Sequence, residues 1–412
     1  MAYLVWGKGR SGLAAFNLLK AKGFKSYIGD DKEDKNLWKD VWNEIDTVVL
    51  SPGIPPSHPL WQEAIKSSKE VIGETELAYR FYKGKNIVAI TGTDGKSTTV
   101  HLIHHFTGLR EGGNFGTPFS EMVLENDEEP VVLEVSSFQG KTLDMFRPNI
   151  GAFLNFSKDH LDWHKDMEDY LLSKQKIFKN QTQEDILILN AQKPVCDTPS
   201  LAKKAFFGET GDLKVIGNDI YYKDEVFIKN VYHPSLKGIH NLYNIAVASF
   251  VAFSMGISLE TIEEKLKTFE GLPFRYQYLG NFDGVDIYND SKSTTVNALM
   301  SALESTKAPI ILIAGGIDKG GDFSSLNIYK DKIKIVFLYG KDKNLIKDQI
   351  ESFLRVYVVD SLEEALIKAK TEANKGDTIL FSPACASFDM FENYKHRGET
   401  FNELVKKHFS SL

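Results

Sequence analysis

The feature that most constrains this 412-residue chain is an apolar run that feeds a glycine-rich turn and then an amphipathic helix. The run is Asn86-Ile87-Val88-Ala89-Ile90, the turn is Thr91-Gly92-Thr93-Asp94-Gly95-Lys96-Ser97, and the helix carries Val100, Leu102, Ile103 and Phe106. A short continuous apolar run followed by helical spacing reads as a buried strand leading into a crossover helix. Glycines let backbone N–H groups approach phosphate oxygens, and the helix N-terminus adds positive potential. In such a cradle Lys96 reaches the terminal phosphates and Ser97 ligates Mg²⁺, so the segment is expected to hold Mg-ATP. Gly92, Thr93, Asp94, Gly95 and Thr98 complete it. The general pattern wants a glycine five positions before Gly95, where Ile90 stands; Gly92 leads instead, and the loop is shorter. A plain Asp-Gly turn is the alternative, but it has no need of Lys-Ser-Thr at the helix start.

Glu134 supports the phosphate reading. It ends the apolar run Val131-Val132-Leu133 and precedes Ser136-Ser137-Phe138-Gln139. An acid at a strand terminus beside a phosphate loop is where a Mg²⁺ ligand belongs; an acid at a solvated strand end is the alternative.

The alternation of strand and helix extends along the chain, which predicts an α/β protein with parallel sheets. Leu4-Val5-Trp6 leads into Gly7-Lys8-Gly9-Arg10-Ser11-Gly12 and a helix with Leu13, Phe16 and Leu19. Further strands end at Asp30 and at Ser51-Pro52-Gly53. Taken literally, G-x-G-x-x-G with Asp30 eighteen residues past Gly12 says dinucleotide. The second phosphate loop begins too soon for a complete six-strand fold, so a half-size unit holding the diphosphate of a nucleotide-linked substrate fits better. A structural turn and NAD remain as alternatives. A linker is expected at Tyr82-Lys83-Gly84-Lys85 and a second boundary at Gly271-Leu272-Pro273. Three consecutive domains follow: a half-Rossmann-like domain (1–83), a central P-loop domain with a parallel sheet (84–272) and a C-terminal Rossmann-like domain (273–412). A helix is expected from about Asn241 to Met255, stopped by Gly256, and a capping box from Ser361 to Glu364.

Composition narrows the class. A net charge of -7 argues against nucleic acid as a partner. Cys196 and Cys385 lack the spacing of a disulfide framework or metal site. No apolar window approaches the roughly 18 residues of a membrane span, and the N-terminal run is too short for a signal peptide. A soluble, cytoplasmic protein is expected. Asn374-Lys375-Gly376-Asp377 formally matches a GTPase motif, yet that motif should follow a strand and here it follows helical spacing.

Several segments together resemble one family, the Mur ligases of peptidoglycan precursor synthesis. They are Thr91 to Thr98, Asp159-His160-Leu161-Asp162-Trp163-His164, and Gly238-Ile239-His240-Asn241 with Asn244. Glu134 to Gln139, Asn289-Asp290-Ser291-Lys292, and Ser382 to Asp389 with Arg397-Gly398 resemble the branch that adds D-glutamate. The resemblance implies an ATP-dependent ligase that joins D-glutamate to UDP-N-acetylmuramoyl-L-alanine through an acyl phosphate, releasing ADP and phosphate. It implies ATP and two Mg²⁺ ions, with the enzyme acting as a monomer. Sister ligases look different at Asn289–Lys292, and a folate polyglutamating enzyme lacks the uridine-type first domain.

The resemblance also distributes roles. Lys96 would hold the β- and γ-phosphates, Ser97 and Glu134 a first Mg²⁺, and His160 with a carbamylated Lys174 a second. Lys176 is a near competitor for Lys174. Asn241 and Asn244 match the adenine side; Arg275, Asp290 and Lys292 match ribose and phosphate contacts. Thr294, Lys319, Ser387 and Tyr394 match the D-glutamate site. Ser11, Gly12, Asp30 and Gly53 match the uridine diphosphate site, and Asn114, Gly116 and Ser136 the sugar-peptide part. Three positions depart from the family: Asp94 for asparagine, Ile317 for an acid and Tyr394 for phenylalanine.

Overall fold

The structure, a computed structural model, describes residues 1–409 apart from 162, 232, 234 and 237. Asp162 of the Asp159–His164 motif therefore lies outside the described residues. Three α/β domains follow one another, each built on its own sheet. By contacts the first two sheets fall in one compact unit, residues 1–232 and 239–269, and the third in another, residues 233–238 and 270–412.

The first sheet has four parallel strands in the order Lys25–Gly29, Ala2–Trp6, Thr47–Leu50, Glu70–Gly73. Every residue of Ala2–Trp6 is buried, as a strand covered on both faces requires. Side chains alternate between the faces: Leu4, Trp6, Val48 and Leu50 enter one core, Tyr3, Val5 and Val49 the other.

The second sheet has nine strands. Seven of them, Leu213–Ile216, Lys203–Phe207, Ile186–Asn190, Ile150–Phe153, Ile87–Thr91, Val131–Glu134 and Arg110–Gly113, are parallel neighbours in that order. The chain then adds Asp219–Tyr222 and Glu225–Ile228 antiparallel at the edge. That edge ribbon was not among the expected strands, although Gly217-Asn218 at its first turn is a hairpin signal. Its strands are four residues each and joined by two-residue turns, the second being Lys223-Asp224 with φ of 50° and 67°. Positive φ at both turn positions matches the twist of a tight hairpin, but neither residue announces it as glycine would.

The third sheet has six strands, Gln277–Phe282, Val285–Asn289, Thr378–Phe381, Ile310–Gly315, Ile333–Tyr339 and Val356–Val358, parallel except for the first pair. The expected helix runs Ile239–Ser254, and Gly256 follows it at φ 90°. The expected capping box is only half made. Ser361 accepts from the Glu364 N–H at 3.1 Å, but the Glu364 carboxylate turns to the Asp360 N–H at 2.9 Å instead of closing on Ser361. A complete box forms elsewhere, between Ser136 and Gln139. No helix among the described residues is long and apolar enough to cross a membrane.

Candidate active site

Strand Ile87–Thr91 delivers the glycine-rich turn to the start of helix Lys96–Thr107. Gly95 is left-handed at φ 80°, and a Cβ there would lie 2.6 Å from Asn244 Oδ1, so Asn244 packs directly on the loop. Asn155, just past strand Ile150–Phe153, clasps the other side. Its Oδ1 accepts from the N–H groups of Thr93 (2.9 Å) and Asp94 (2.8 Å), and its Nδ2 donates to the Asp94 carbonyl (3.1 Å). Asn155 was not among the expected site residues; its one signal was a polar amide at the end of a strand in the same parallel sheet. The Asp94 main chain is thus fixed while its side chain is exposed, so the departing acid leaves the loop geometry intact.

Lys96 folds back over the loop, its Nζ donating to the carbonyls of Gly92 (3.0 Å) and Thr93 (2.7 Å). Register sets Glu134 opposite Ile90 on one side and Gly113 on the other. There Ser97 Oγ donates to Glu134 Oε2 at 2.6 Å and Asn114 Nδ2 to Oε1 at 2.7 Å. Glu134 is 3% exposed. A buried carboxylate beside a hydroxyl offers the hard oxygen donors that Mg²⁺ prefers. The family resemblance adds a histidine and a modified lysine to this pair; among the described residues no three His, Cys, Asp or Glu side chains gather as a metal cluster.

Lys174 supplies a candidate. It lies on helix Met167–Gln175, is 2% exposed, and its Nζ sits 2.6 Å from the Gly92 carbonyl oxygen and 4.8 Å from the centre of the Tyr170 ring. Burial first, then repulsion from Lys96, holds its pKa well below the usual lysine range. A neutral amine is the form that adds carbon dioxide, and the resulting carbamate is an anionic oxygen ligand. Lys176 instead donates to the Lys141 carbonyl at 3.1 Å, so of the two only Lys174 meets the loop. His160 is left-handed at φ 53°, partly exposed, with its ring against Phe138 (4.8 Å) and Tyr170 (6.0 Å). It therefore shares Tyr170 with Lys174.

In the first sheet a Cβ on Gly12 would fall 1.8 Å from the Gly7 carbonyl oxygen, so helix Arg10–Ala21 meets the turn with no room for a side chain. Ser51 Oγ also donates to that oxygen at 3.2 Å, while nothing lies within 4 Å of a Cβ on Gly53. The N–H groups of Glu33 and Lys32, each 2.9 Å from Asp30 Oδ1, hold the Asp30 carboxyl below the usual carboxylate range. Ser136, buried, spends its hydroxyl on the cap of helix Ser137–Lys141, and Gly116 turns the chain at φ 79° after Asn114.

In the second unit the Asn289–Lys292 segment is tied down from several sides. Asn289 Nδ2 donates to the Gly398 carbonyl (2.9 Å) and Asn402 Oδ1 (2.7 Å). Asp290 accepts from the Tyr276 N–H (3.0 Å) and Ser382 Oγ (2.8 Å), and burial pushes its pKa up to about 7. Arg397, fully buried, donates to Ser291 Oγ (3.0 Å), the Ser291 carbonyl (2.8 Å) and the Cys385 carbonyl (3.0 Å). It joins the Asn289 and Ser382 motifs, a role no spacing could foretell. The Lys292 ammonium lies 4.1 Å from the centre of the Tyr394 ring, bringing together residues expected on different ligands. Ile317, the departing residue, pairs with Ala386 beside the buried Ser387, and Lys319 stands exposed two residues on. Asp318 steadies that turn by accepting from the Gly321 N–H at 3.0 Å. Thr294 immediately precedes Thr295, the cap of helix Val296–Ser305, and Arg275 lies in the turn before strand Gln277–Phe282.

Residues 90–252 match the Mur ligase middle domain and residues 274–385 the Mur ligase, glutamate ligase domain. The chain is 85% identical over 411 residues to a protein of Hydrogenobaculum sp. (strain Y04AAS1) named UDP-N-acetylmuramoylalanine–D-glutamate ligase, covering 100% of both. A protein of the same name from Aquifex aeolicus (strain VF5) is 54% identical over 418 residues, again covering 100% of both. Among solved structures, the UDP-N-acetylmuramate-alanine ligase of Thermotoga maritima superposes with a TM-score of 0.60 at 18% identity, over 98% of this chain and 99% of that one. A MurF ligase of Thermotoga maritima in complex with ADP gives 0.57 at 18% identity over 91% of each chain. At such identity these two likenesses concern the fold.

Proposed function

The chain belongs to the Mur ligase family, and on that premise we propose that it joins D-glutamate to UDP-N-acetylmuramoyl-L-alanine in peptidoglycan precursor synthesis. The observation that carries this reading is 85% identity along the whole chain to a protein of that activity by name.

The chemistry explains why the site is built as it is. A carboxylate is a poor electrophile, so the γ-phosphoryl group of ATP is first transferred to it. The amine of D-glutamate then attacks the acyl phosphate, an amide forms, and phosphate leaves. Phosphoryl transfer asks for positioning and charge neutralisation. Lys96 and the N–H groups at the helix start, beyond those of Thr93 and Asp94 that Asn155 holds, supply both to the phosphates. Ser97 and Glu134 would hold one Mg²⁺, and His160 with Lys174 as its carbamate a second; the ions would neutralise phosphate charge. Asn241 and Asn244 would contact the adenine side of the nucleotide.

The remaining roles follow the domains, which we take as 1–83, 84–272 and 273–412. Ser11, Gly12, Asp30 and Gly53 bind uridine diphosphate, with Asn114, Gly116 and Ser136 toward the muramoyl-alanine. Arg275, Asp290 and Lys292 meet ribose and phosphate; Thr294, Lys319, Ser387 and Tyr394 take D-glutamate, Lys319 as a compact point charge for a carboxylate. The enzyme works as a monomer in the cytoplasm. Incubation with UDP-N-acetylmuramoyl-L-alanine, D-glutamate and Mg-ATP is expected to release phosphate only when both organic substrates are present. Equal release in buffer with ATP alone would overturn the reading.

A further inference from the structure

Behind the loop lies a buried relay that the proposed roles leave unused. His164 is fully buried, with Nδ1 3.1 Å from Asp169 Oδ2 and Nε2 2.9 Å from Ser137 Oγ. Asp169 also pairs with the Lys141 ammonium. A carboxylate only accepts, so the Nδ1 proton is donated to Asp169, and Nε2 is left to accept the Ser137 hydroxyl proton. Nothing opens Ser137 to solvent (it is 1% exposed), so the serine–histidine–aspartate order here is no nucleophile. Its geometry serves another end.

The relay bridges two helices. Ser137 and Lys141 are the first and last residues of helix Ser137–Lys141, and Asp169 lies in the first turn of helix Met167–Gln175. The helices touch so closely between those ties that a Cβ on Gly140 would fall 2.1 Å from the Ser173 carbonyl oxygen. Ser173 is the neighbour of Lys174. The short helix itself hangs from Glu134 through Val135 and Ser136. The His164 bridge thus spans, in a few residues on either side, the carboxylate and the lysine whose separation a metal pair would have to match.

We infer that His164 is a positioning residue: through Ser137 and Asp169 it sets the place of the Lys174 amine against Glu134 and the Gly92 carbonyl. The inference rests on the reading of Lys174 as a carbamylated ligand. Outer partners of metal ligands commonly matter by 10- to 100-fold in metal affinity or activity, roughly the range at stake here.

The test uses the full-length enzyme with two readouts, phosphate release and Mg²⁺ binding in the presence of ADP followed by calorimetry. The Mg²⁺ Kd is expected to rise about tenfold in His164→Phe, and an unchanged Kd would overturn the inference. His164→Phe keeps a ring and removes both hydrogen bonds. It is expected to raise the Mg²⁺ concentration for half-maximal rate about tenfold and to lower kcat by a similar factor, with KM for D-glutamate unchanged. His164→Asn, which keeps a donor toward Asp169, is expected to recover part of the loss. In a Lys174→Ala background restored by acetate, adding His164→Phe should cost nothing further, because the residue it positions is gone. Wild-type Mg²⁺ dependence in His164→Phe, or losses that multiply in the double variant, would overturn the inference. Should His164→Phe fail to melt cooperatively, Ser137→Ala, which deletes one hydroxyl, carries the same comparison. Full activity of Lys174→Ala without acetate would instead sink the reading beneath it, and so separates the two failures.

Discussion

Ser97 Oγ and Glu134 Oε2 lie 2.6 Å apart, both side chains buried, one from the start of a helix and the other from the end of the neighbouring strand. Neither residue is near the other in sequence, and the pair exists because parallel pairing places Glu134 opposite Ile90. Glu134→Gln keeps the volume and an acceptor for Ser97 while deleting the charge. The variant is expected to melt near the wild type and to need at least about tenfold more Mg²⁺ for half-maximal rate. A Mg²⁺ titration of phosphate release checks this, and an unchanged midpoint would remove Glu134 from the metal site.

Asn155 makes three hydrogen bonds to Thr93 and Asp94 with one amide. In Asn155→Ala two loop N–H groups lose their side-chain partner, and each net bond is worth about 1 kcal/mol. Thermal and urea denaturation should show a loss of roughly 1–3 kcal/mol, with a raised KM for ATP. Loss of stability with ATP kinetics untouched would make Asn155 a purely structural residue.

Two glycines of the first domain, Gly12 and Gly53, should behave oppositely. A Cβ on Gly12 meets the Gly7 carbonyl oxygen, whereas a Cβ on Gly53 meets nothing within 4 Å. Gly12→Ala is expected to cost about 1–3 kcal/mol by overpacking and to weaken binding of the uridine nucleotide in calorimetry. Gly53→Ala should stay within about 0.5 kcal/mol of wild type. Equal stabilities would show that the helix start tolerates a shift away from the turn.

Asp290 makes stability depend on pH with a definite sign. Its pKa of about 7 in the folded chain lies above the unfolded value near 3.9. The folded state therefore binds the extra proton between those values. Its contribution is complete below about pH 4 and is lost as pH rises through about 7. Asp290→Asn should flatten this part of the profile, so the wild type loses stability relative to the variant between about pH 4 and 7. Parallel profiles from urea titrations at several pH values would contradict it.

Much of the fold was legible because its signals are local. The buried run Ile87–Ile90, the glycine turn and the helix that follows state their structure within about twenty residues, since a strand end, a left-handed glycine and a helix start are each set by neighbouring side chains. The edge ribbon 213–228 was missed although Gly217-Asn218 marks its first turn, because its strands are only four residues long and Lys223-Asp224 at the second turn carries no glycine. The Ser361 box was half right because Glu364 had a second N–H within reach.

The site divides along the same line. Lys96, Ser97 and the glycines belong to one turn, so their chemistry could be stated from spacing, and the family resemblance supplied the distant members. What only the tertiary structure decided is which distant side chains share a space: Asn155 on the loop, Lys174 rather than Lys176 at the Gly92 carbonyl, Arg397 across two motifs, His164 between two helices. A lysine's spacing on a helix is indifferent to whether its ammonium meets water or a loop carbonyl. Packing settles that, because burial changes the cost of its charge, and burial is a property of the assembled chain.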